Sequence, residues 1–161
     1  MDDDGLPKPL ARLEELFGKP SQSVTGAAVF TSDTPLTTDQ LEEFAKSKYR
    51  YFVGHAWEEF GEENWTKTWA ESYLRPSGKH PGILQEMAQL KEHPIALAAS
   101  QVTENHDDPK GASEALSDVF DAASICEVRL YNIGDTEAIT GVLIAALSSS
   151  GRGIALVFLM D

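Results

Sequence analysis

The residues best suited to chemistry in this sequence are a histidine and two glutamates close behind it, His55, Glu58 and Glu59. On a helix, carboxylates three and four positions away can reach an imidazole, where they would tune a general base or share a metal ion. The order is neither the Glu-x-x-His of di-iron helices nor the His-Glu-x-x-His of zinc proteases. Adjacent carboxylates also point about 100° apart around a helix axis. We therefore predict a charged helix surface here, and a chain with no catalytic residue, no metal and no cofactor.

A second chemically suggestive segment is an oxygen-rich loop that contains Glu104, Asp107 and Asp108. Carboxylate oxygens are the ligands that Ca²⁺ prefers, but this spacing lacks the EF-hand pattern and its glutamate at the twelfth position. The wider segment 104–121 carries six acidic residues and one lysine. We interpret the loop as a solvated acidic surface that is suited to contact with a basic partner.

Aromatic residues are concentrated between positions 49 and 73. Trp65, Trp69 and Tyr73 recur every fourth residue, which predicts one side of a short helix. Tryptophan and tyrosine are enriched at binding hot spots, although aromatics at this spacing also fill helical cores. The predicted partner-binding residues are Trp57, Trp65, Trp69, Tyr73, Glu104, Asp107 and Asp108. Packing of the helices is the alternative role for the aromatic members of this set.

Cysteine usage points to a fold that is held by packing alone. Cys126 is the single cysteine, so no disulfide can form within the chain, which fits a reducing compartment. In the alternating pattern it shares a strand face with Val128 and Leu130, which predicts a buried and unreactive thiol.

The charge balance narrows the classes of partner. Aspartate and glutamate total 26 against 13 lysines and arginines, a formal net charge of -13. Such a surface repels nucleic-acid phosphate and anionic lipid and attracts basic proteins and cations. Apolar runs are far shorter than the roughly 20 residues that cross a bilayer, and residues 1–5 resemble no secretory signal. We expect a cytoplasmic protein that binds neither nucleic acid nor membrane.

The 161 residues predict one globular domain over positions 1–161, with residues 1–6 as a flexible acidic tail. Helical spacing predicts helices near 6–17, 41–60, 65–73, 83–90 and 113–123. Gly54 interrupts the second of these, and residues 23–31 are small and β-branched enough to form a strand. Residues 95–102 fit a helix or a strand, and their frequent alanine favours a helix.

The C-terminal third changes from helical spacing to alternating and then continuous apolar runs. These runs predict strands near 125–133, 138–147 and 153–160, joined by short turns and therefore antiparallel. Continuous apolarity in the last two indicates cover on both faces. The predicted fold is α+β, with helix-rich N-terminal two-thirds packed on a C-terminal three-stranded antiparallel β-meander.

Three functions are compatible with these patterns. The first is a non-catalytic protein-binding module, such as an inhibitor, immunity-type protein, chaperone or adaptor, that engages a basic partner through an acidic and aromatic surface. The second is a small enzyme or ligand-binding domain with a pocket near His55. The third is a structural subunit whose C-terminal strands pair with a second copy of the chain.

Overall fold

An antiparallel sheet of five strands organises the part of the chain that the structure describes. The computed structural model describes residues 4–23, 25–76, 80–90, 96–104, 106–135 and 137–161. Its strands are β1 (Gly26–Thr31), β2 (Ala70–Leu74), β3 (Ile125–Gly134), β4 (Thr140–Ser148) and β5 (Gly153–Met160). They lie in the order β1-β5-β4-β3-β2, and every neighbouring pair is antiparallel.

Helices occupy most of the remaining described chain. They are α1 (Pro7–Phe17), α2 (Thr38–Val53), α3 (His55–Phe60), α4 (Glu62–Thr66), α5 (Ile83–Ala88), α6 (Ala96–Val102) and α7 (Pro109–Phe120). A capping box fixes the start of α2, because the Gln40 Oε1 accepts a hydrogen bond from the Thr37 N–H at 2.9 Å. In the part of the chain that the structure describes, no helix has the length and apolarity to cross a membrane.

The helices form a layer on each face of the sheet. One layer consists of α1, α5, α6 and α7, and the other of α2, α3 and α4. Along β4, Val142 and Ile144 enter the first core while Leu143 and Ala145 enter the second. The alternation of side chains along a strand therefore explains why β4 and β5 are apolar at almost every position.

The mixed α+β class and the antiparallel pairing of the last three strands are confirmed. The three-stranded meander is wrong, because β1 pairs with β5 and β2 pairs with β3 to extend the sheet at both sides. β5 and residues 129–132 of β3 consequently have partners on both edges, and helices cover both faces. The C-terminal strands therefore lie inside the sheet over most of their length, and their pairing with a second copy of the chain stays a prediction.

The segment 65–73 is also not the predicted helix. The α4 helix ends at Thr66, and β2 begins at Ala70. The i, i+4 spacing of the aromatic residues is a local signal, and hydrogen bonding of residues 70–74 to β3 overrides it. Tyr73 therefore lies on a strand, not on a helix with Trp65.

A flexible tail is expected over residues 1–6, but Asp4 and Leu6 are buried in the structure, and residues 1–3 lie outside the described residues. Leu6 is fully buried. The Asp4 Oδ2 accepts hydrogen bonds from the Arg152 Nε at 2.7 Å, from the Ser150 hydroxyl at 3.0 Å and from the Ser148 hydroxyl at 3.1 Å. These partners are 144 or more residues away in the chain. Local composition therefore could not reveal them, and by itself it predicts a solvated tail.

These contacts make the stability of the fold acid-sensitive. Burial alone would raise the pKa of Asp4, but hydrogen bonds from Arg152, the Leu6 N–H and the two serines outweigh burial and lower this pKa to about 2. A carboxyl with a depressed pKa stabilises the folded state above its unfolded-state pKa, and the contribution is lost as pH falls toward the folded-state pKa.

We expect Asp4→Asn to lower the free energy of unfolding at pH 7 by about 1–2 kcal/mol. The difference from the wild type should shrink as pH falls from about 5 to 2, measured by urea unfolding at each pH. The exposed Asp33 provides the control, since Asp33→Asn removes the same charge without such partners. A difference that is constant over this pH range would contradict the assignment.

Candidate functional site

Trp57 and Trp65 lie in the interior, with 2% and 0% of their surfaces exposed. The Trp65 Nε1–H donates to the Ala56 carbonyl at 3.0 Å. The Tyr49 hydroxyl donates to the Trp65 carbonyl at 2.8 Å and accepts from the Gly134 N–H at 3.0 Å. Both tryptophans thus take the alternative role stated above, packing of the core, and present no surface to a partner.

Trp69 and Tyr73 are half-buried and lie on opposite faces of the sheet. Trp69 stacks on Tyr131 with ring centroids 4.4 Å apart, and its Nε1–H donates to the Glu42 carboxylate at 3.3 Å. The Lys46 Nζ lies 5.3 Å from the centre of the same ring. The predicted set therefore brings Trp57, Trp65 and Trp69 together, while β2 carries Tyr73 to the other core.

The acidic loop is exposed at Glu104, Asp107 and Asp108, as a solvated surface requires. Asp108 has a structural role, since its Oδ1 accepts the Gly111 N–H at 3.1 Å and caps α7. The His106 Nδ1 accepts the Asp108 N–H at 2.9 Å, so the His106 Nε2–H donates to the Leu16 carbonyl at 3.0 Å. The loop is thereby attached to α1, and Glu104 and Asp107 keep their carboxylates in solvent.

His55, Glu58 and Glu59 are all exposed on α3. Within the described residues, no hydrogen bond or ion pair joins the imidazole to either carboxylate, and the Glu58 Oε1 instead lies 4.0 Å from the Arg50 Nη2. An open concavity of about 480 Å³ borders His55 and Tyr51. This geometry supplies no oriented acid–base pair.

The structure does bring together an exposed acidic and aromatic surface at the junction of α3 and α4. Phe60 ends α3 with 55% of its surface exposed. Gly61, with φ of 89°, turns the chain directly into α4. The side chains of Glu58, Glu59, Glu62 and Glu63 flank the ring in the chain and are also exposed. We call residues 58–63 the acidic–aromatic ridge. Its sequence signal is four acids around one phenylalanine.

A buried ion network is the feature that sequence analysis missed. The Arg75 Nε lies 3.0 Å and 2.9 Å from the two carboxylate oxygens of Glu86, which is 0% exposed. The Arg75 Nη2 lies 2.8 Å from the Asp121 Oδ1, and its Nη1 donates to the Phe120 carbonyl at 2.6 Å. The Tyr73 hydroxyl donates to the Glu86 Oε2 at 2.6 Å. The network joins the end of β2 to α5 and to the end of α7.

The protonation states in this network follow from its contacts. Burial alone would raise the pKa of Glu86, but hydrogen bonds from Arg75 and Tyr73 lower it on balance. Burial, followed by the hydrogen bond to Glu86, raises the pKa of Tyr73 to about 12. Glu86 therefore stays charged and Tyr73 stays a donor at neutral pH.

Three residues of this region could be considered as metal ligands. Donor atoms of His80, Glu86 and Asp121 lie within 4.8 Å of one another. Both Glu86 oxygens already accept from Arg75, and the Asp121 Oδ1 accepts from Arg75 and from the Ile83 N–H. A divalent cation would have to displace the guanidinium, so we assign the three residues to the ion network.

No family model, curated protein or solved structure matches this chain. A fold by itself does not imply a function, so the functional argument rests on the surfaces and sites of this molecule.

The assignment of Trp65 to the core predicts a large effect on stability. Trp65→Ala should lower the free energy of unfolding by roughly 3–5 kcal/mol, because a buried tryptophan leaves a cavity. The exposed ring of Phe60 is the matched control, and Phe60→Ala should cost less than about 1 kcal/mol. Urea unfolding of both variants measures the difference, and equal costs would exclude the assignment.

The ion network predicts that the stability of the fold depends strongly on the guanidinium of Arg75. Arg75→Met leaves the charge of Glu86 buried without its main partner, which should cost about 3–5 kcal/mol. The double variant Arg75→Met/Glu86→Met should be more stable than Arg75→Met, because it removes the uncompensated charge as well.

The exposed pair between Arg12 and Glu114 serves as the control for this cycle. Arg12→Met should cost less than about 1 kcal/mol, as surface ion pairs do. Thermal or urea unfolding measures the stability of all three variants against the wild type. A double variant less stable than Arg75→Met would show that Glu86 does not depend on the arginine.

Proposed function

We propose that this protein is a non-catalytic protein-binding module, of the inhibitor, immunity-type, chaperone or adaptor kind, that engages a basic surface of a partner protein. The observation that carries the proposal is the acidic–aromatic ridge, where Phe60 is 55% exposed among four exposed carboxylates. Aromatic residues, phenylalanine among them, are enriched at protein interfaces, where a few of them act as anchors.

The ring of Phe60 is supported from beneath. It packs edge-on against the buried Trp65, with centroids 6.3 Å apart. The Asn64 Nδ2 donates to the Phe60 carbonyl, which holds the turn between the two helices. An anchor that is already positioned loses less conformational freedom on binding, which favours affinity.

The carboxylates of the ridge define the chemistry of the partner. Among the described contacts, Glu58 alone of the four has an ion pair, at 4.0 Å and fully at the surface. The other three add unpaired negative charge to a chain whose net charge is -13. Opposite charge on a partner would steer the encounter, and an apolar pocket between its basic residues would receive the phenyl ring.

The ridge replaces most of the partner-binding set predicted from sequence. Trp57 and Trp65 support the ridge from the core, and Tyr73 faces the other side of the sheet. Glu104 and Asp107 are exposed next to α6 and α7, in the opposite helical layer from the ridge. They would therefore contact a partner that bound at the ridge only if it extended around the sheet.

The test is to capture a partner with the full-length chain and to measure association with its purified form. Phe60→Ala should weaken binding by about 30-fold, the effect of a central anchor. The control is Leu74→Ala, which truncates a comparably exposed side chain, 49%, on the edge strand β2. The same affinity loss in both variants would contradict a specific anchor.

The rate of association with the partner tests the ridge carboxylates separately. Replacement of the four ridge glutamates by glutamine should slow association at low salt and flatten its dependence on salt. The charge-matched control replaces four exposed acids elsewhere, namely Glu15, Asp33, Glu43 and Glu137, by their amides. If both quadruple variants slow association equally, overall charge and not the ridge steers the partner.

A further inference from the structure

A cavity of about 400 Å³ opens among α5, α6 and α7, in the helical layer opposite the ridge. Its volume lies in the range of pockets that bind small molecules. Leu84, Met87, Ala96 and Ala99 form an apolar floor, and Glu104 lies at the rim. The sheet separates this cavity from the acidic–aromatic ridge, so it is independent of the proposed function.

Small side chains line the cavity on both α5 and α6. Ala96 and Ala99 come from α6, and Ala88 lines the wall on α5. A leucine at any of these positions would extend into the space. Met87 is almost fully buried at the base, and its flexible thioether can adapt to different apolar shapes.

The polar groups of the cavity favour a cation. Glu104 is the one charged side chain among the described lining residues, and it is exposed. The Thr103 hydroxyl already donates to the Ala99 carbonyl at 3.0 Å. The next acids along the loop, Asp107 and Asp108, are exposed as well. A ligand that carries a carboxylate or phosphate would meet repulsion at this rim, while an ammonium would meet attraction.

We propose that this cavity binds a small organic amine, whose apolar body lies on the floor and whose ammonium group pairs with Glu104. Most of the affinity comes from burial of the apolar body, and the exposed carboxylate contributes selectivity of several-fold. The binding mode places the charged end of the amine in partly solvated surroundings, so its ammonium keeps most of its hydration.

Three probes of equal chain length separate these contributions: octylamine, octan-1-ol and octanoate, titrated at pH 7 below their aggregation limits. Isothermal titration calorimetry should show that octylamine binds most tightly, octanol less tightly and octanoate least. The affinities of octylamine and octanol should differ by at least about threefold. Octanoate binding as tight as octylamine would overturn the proposal, as would no binding of octylamine at millimolar concentration.

Glu104→Gln should weaken the binding of octylamine by about threefold and leave the binding of octanol unchanged. Glu43→Gln is the control, because it removes an equally exposed carboxylate from α2 in the other helical layer. If both variants reduce octylamine binding equally, the net charge and not Glu104 provides the selectivity, and the proposed pairing is wrong.

Filling the cavity with a larger side chain tests whether the amine binds there. Ala96→Leu should weaken all three probes at least tenfold, with a melting temperature close to the wild type as evidence of folding. Ala88→Leu is a second filling variant at an exposed position, where an added side chain is well tolerated. Retention of octylamine binding in a folded variant of either kind would place the site elsewhere and overturn the proposal.

Discussion

Burial of the central sheet on both faces is the constraint on which the remaining structure depends. Strands β4 and β5 are apolar at nearly every position, so each face must be covered by a separate helical layer. An amphipathic helix covers one face only, which is why α1 and α7 pack on one side while α2 packs on the other. The edge strands β1 and β2 then complete the hydrogen bonding of β5 and β3.

Two buried ion clusters fix the periphery of this apolar core. Arg75 ties the end of β2 to α5 and α7, and Arg152 ties the β4–β5 turn to the N-terminal segment. The desolvation of such charges opposes their attraction, so their main effect is on which segments meet. Complete hydrogen bonding of Glu86 supports this role, because a partly satisfied carboxylate would destabilise the same arrangement.

The same layering separates two kinds of surface. On the α2–α4 side, the close succession of α3 and α4 around Gly61 exposes a phenylalanine among carboxylates. On the α5–α7 side, alanines leave space between helices beneath a single carboxylate. Both surfaces carry exposed carboxylates, in a chain that has 26 acidic and 13 basic residues, and negative charge attracts cationic groups. They differ in shape, since a protruding ring suits a macromolecular surface and a recess suits a small molecule.

The sequence by itself determined the α+β class, the strand β1, the helices of the N-terminal two-thirds apart from α4 and residues 65–73, and the three C-terminal strands, because those signals are patterns within one element. Tertiary structure decided the rest. Pairing with β3 made a strand of residues 70–74, and a bulge between Ile125 and Glu127 exposed Cys126 against the alternation that predicted its burial. The spacing of Trp65, Trp69 and Tyr73 could not show that a sheet would separate Tyr73 from the two tryptophans. Arg75, Glu86 and Asp121 are up to 46 residues apart, so only the packing of three elements brings their charges together.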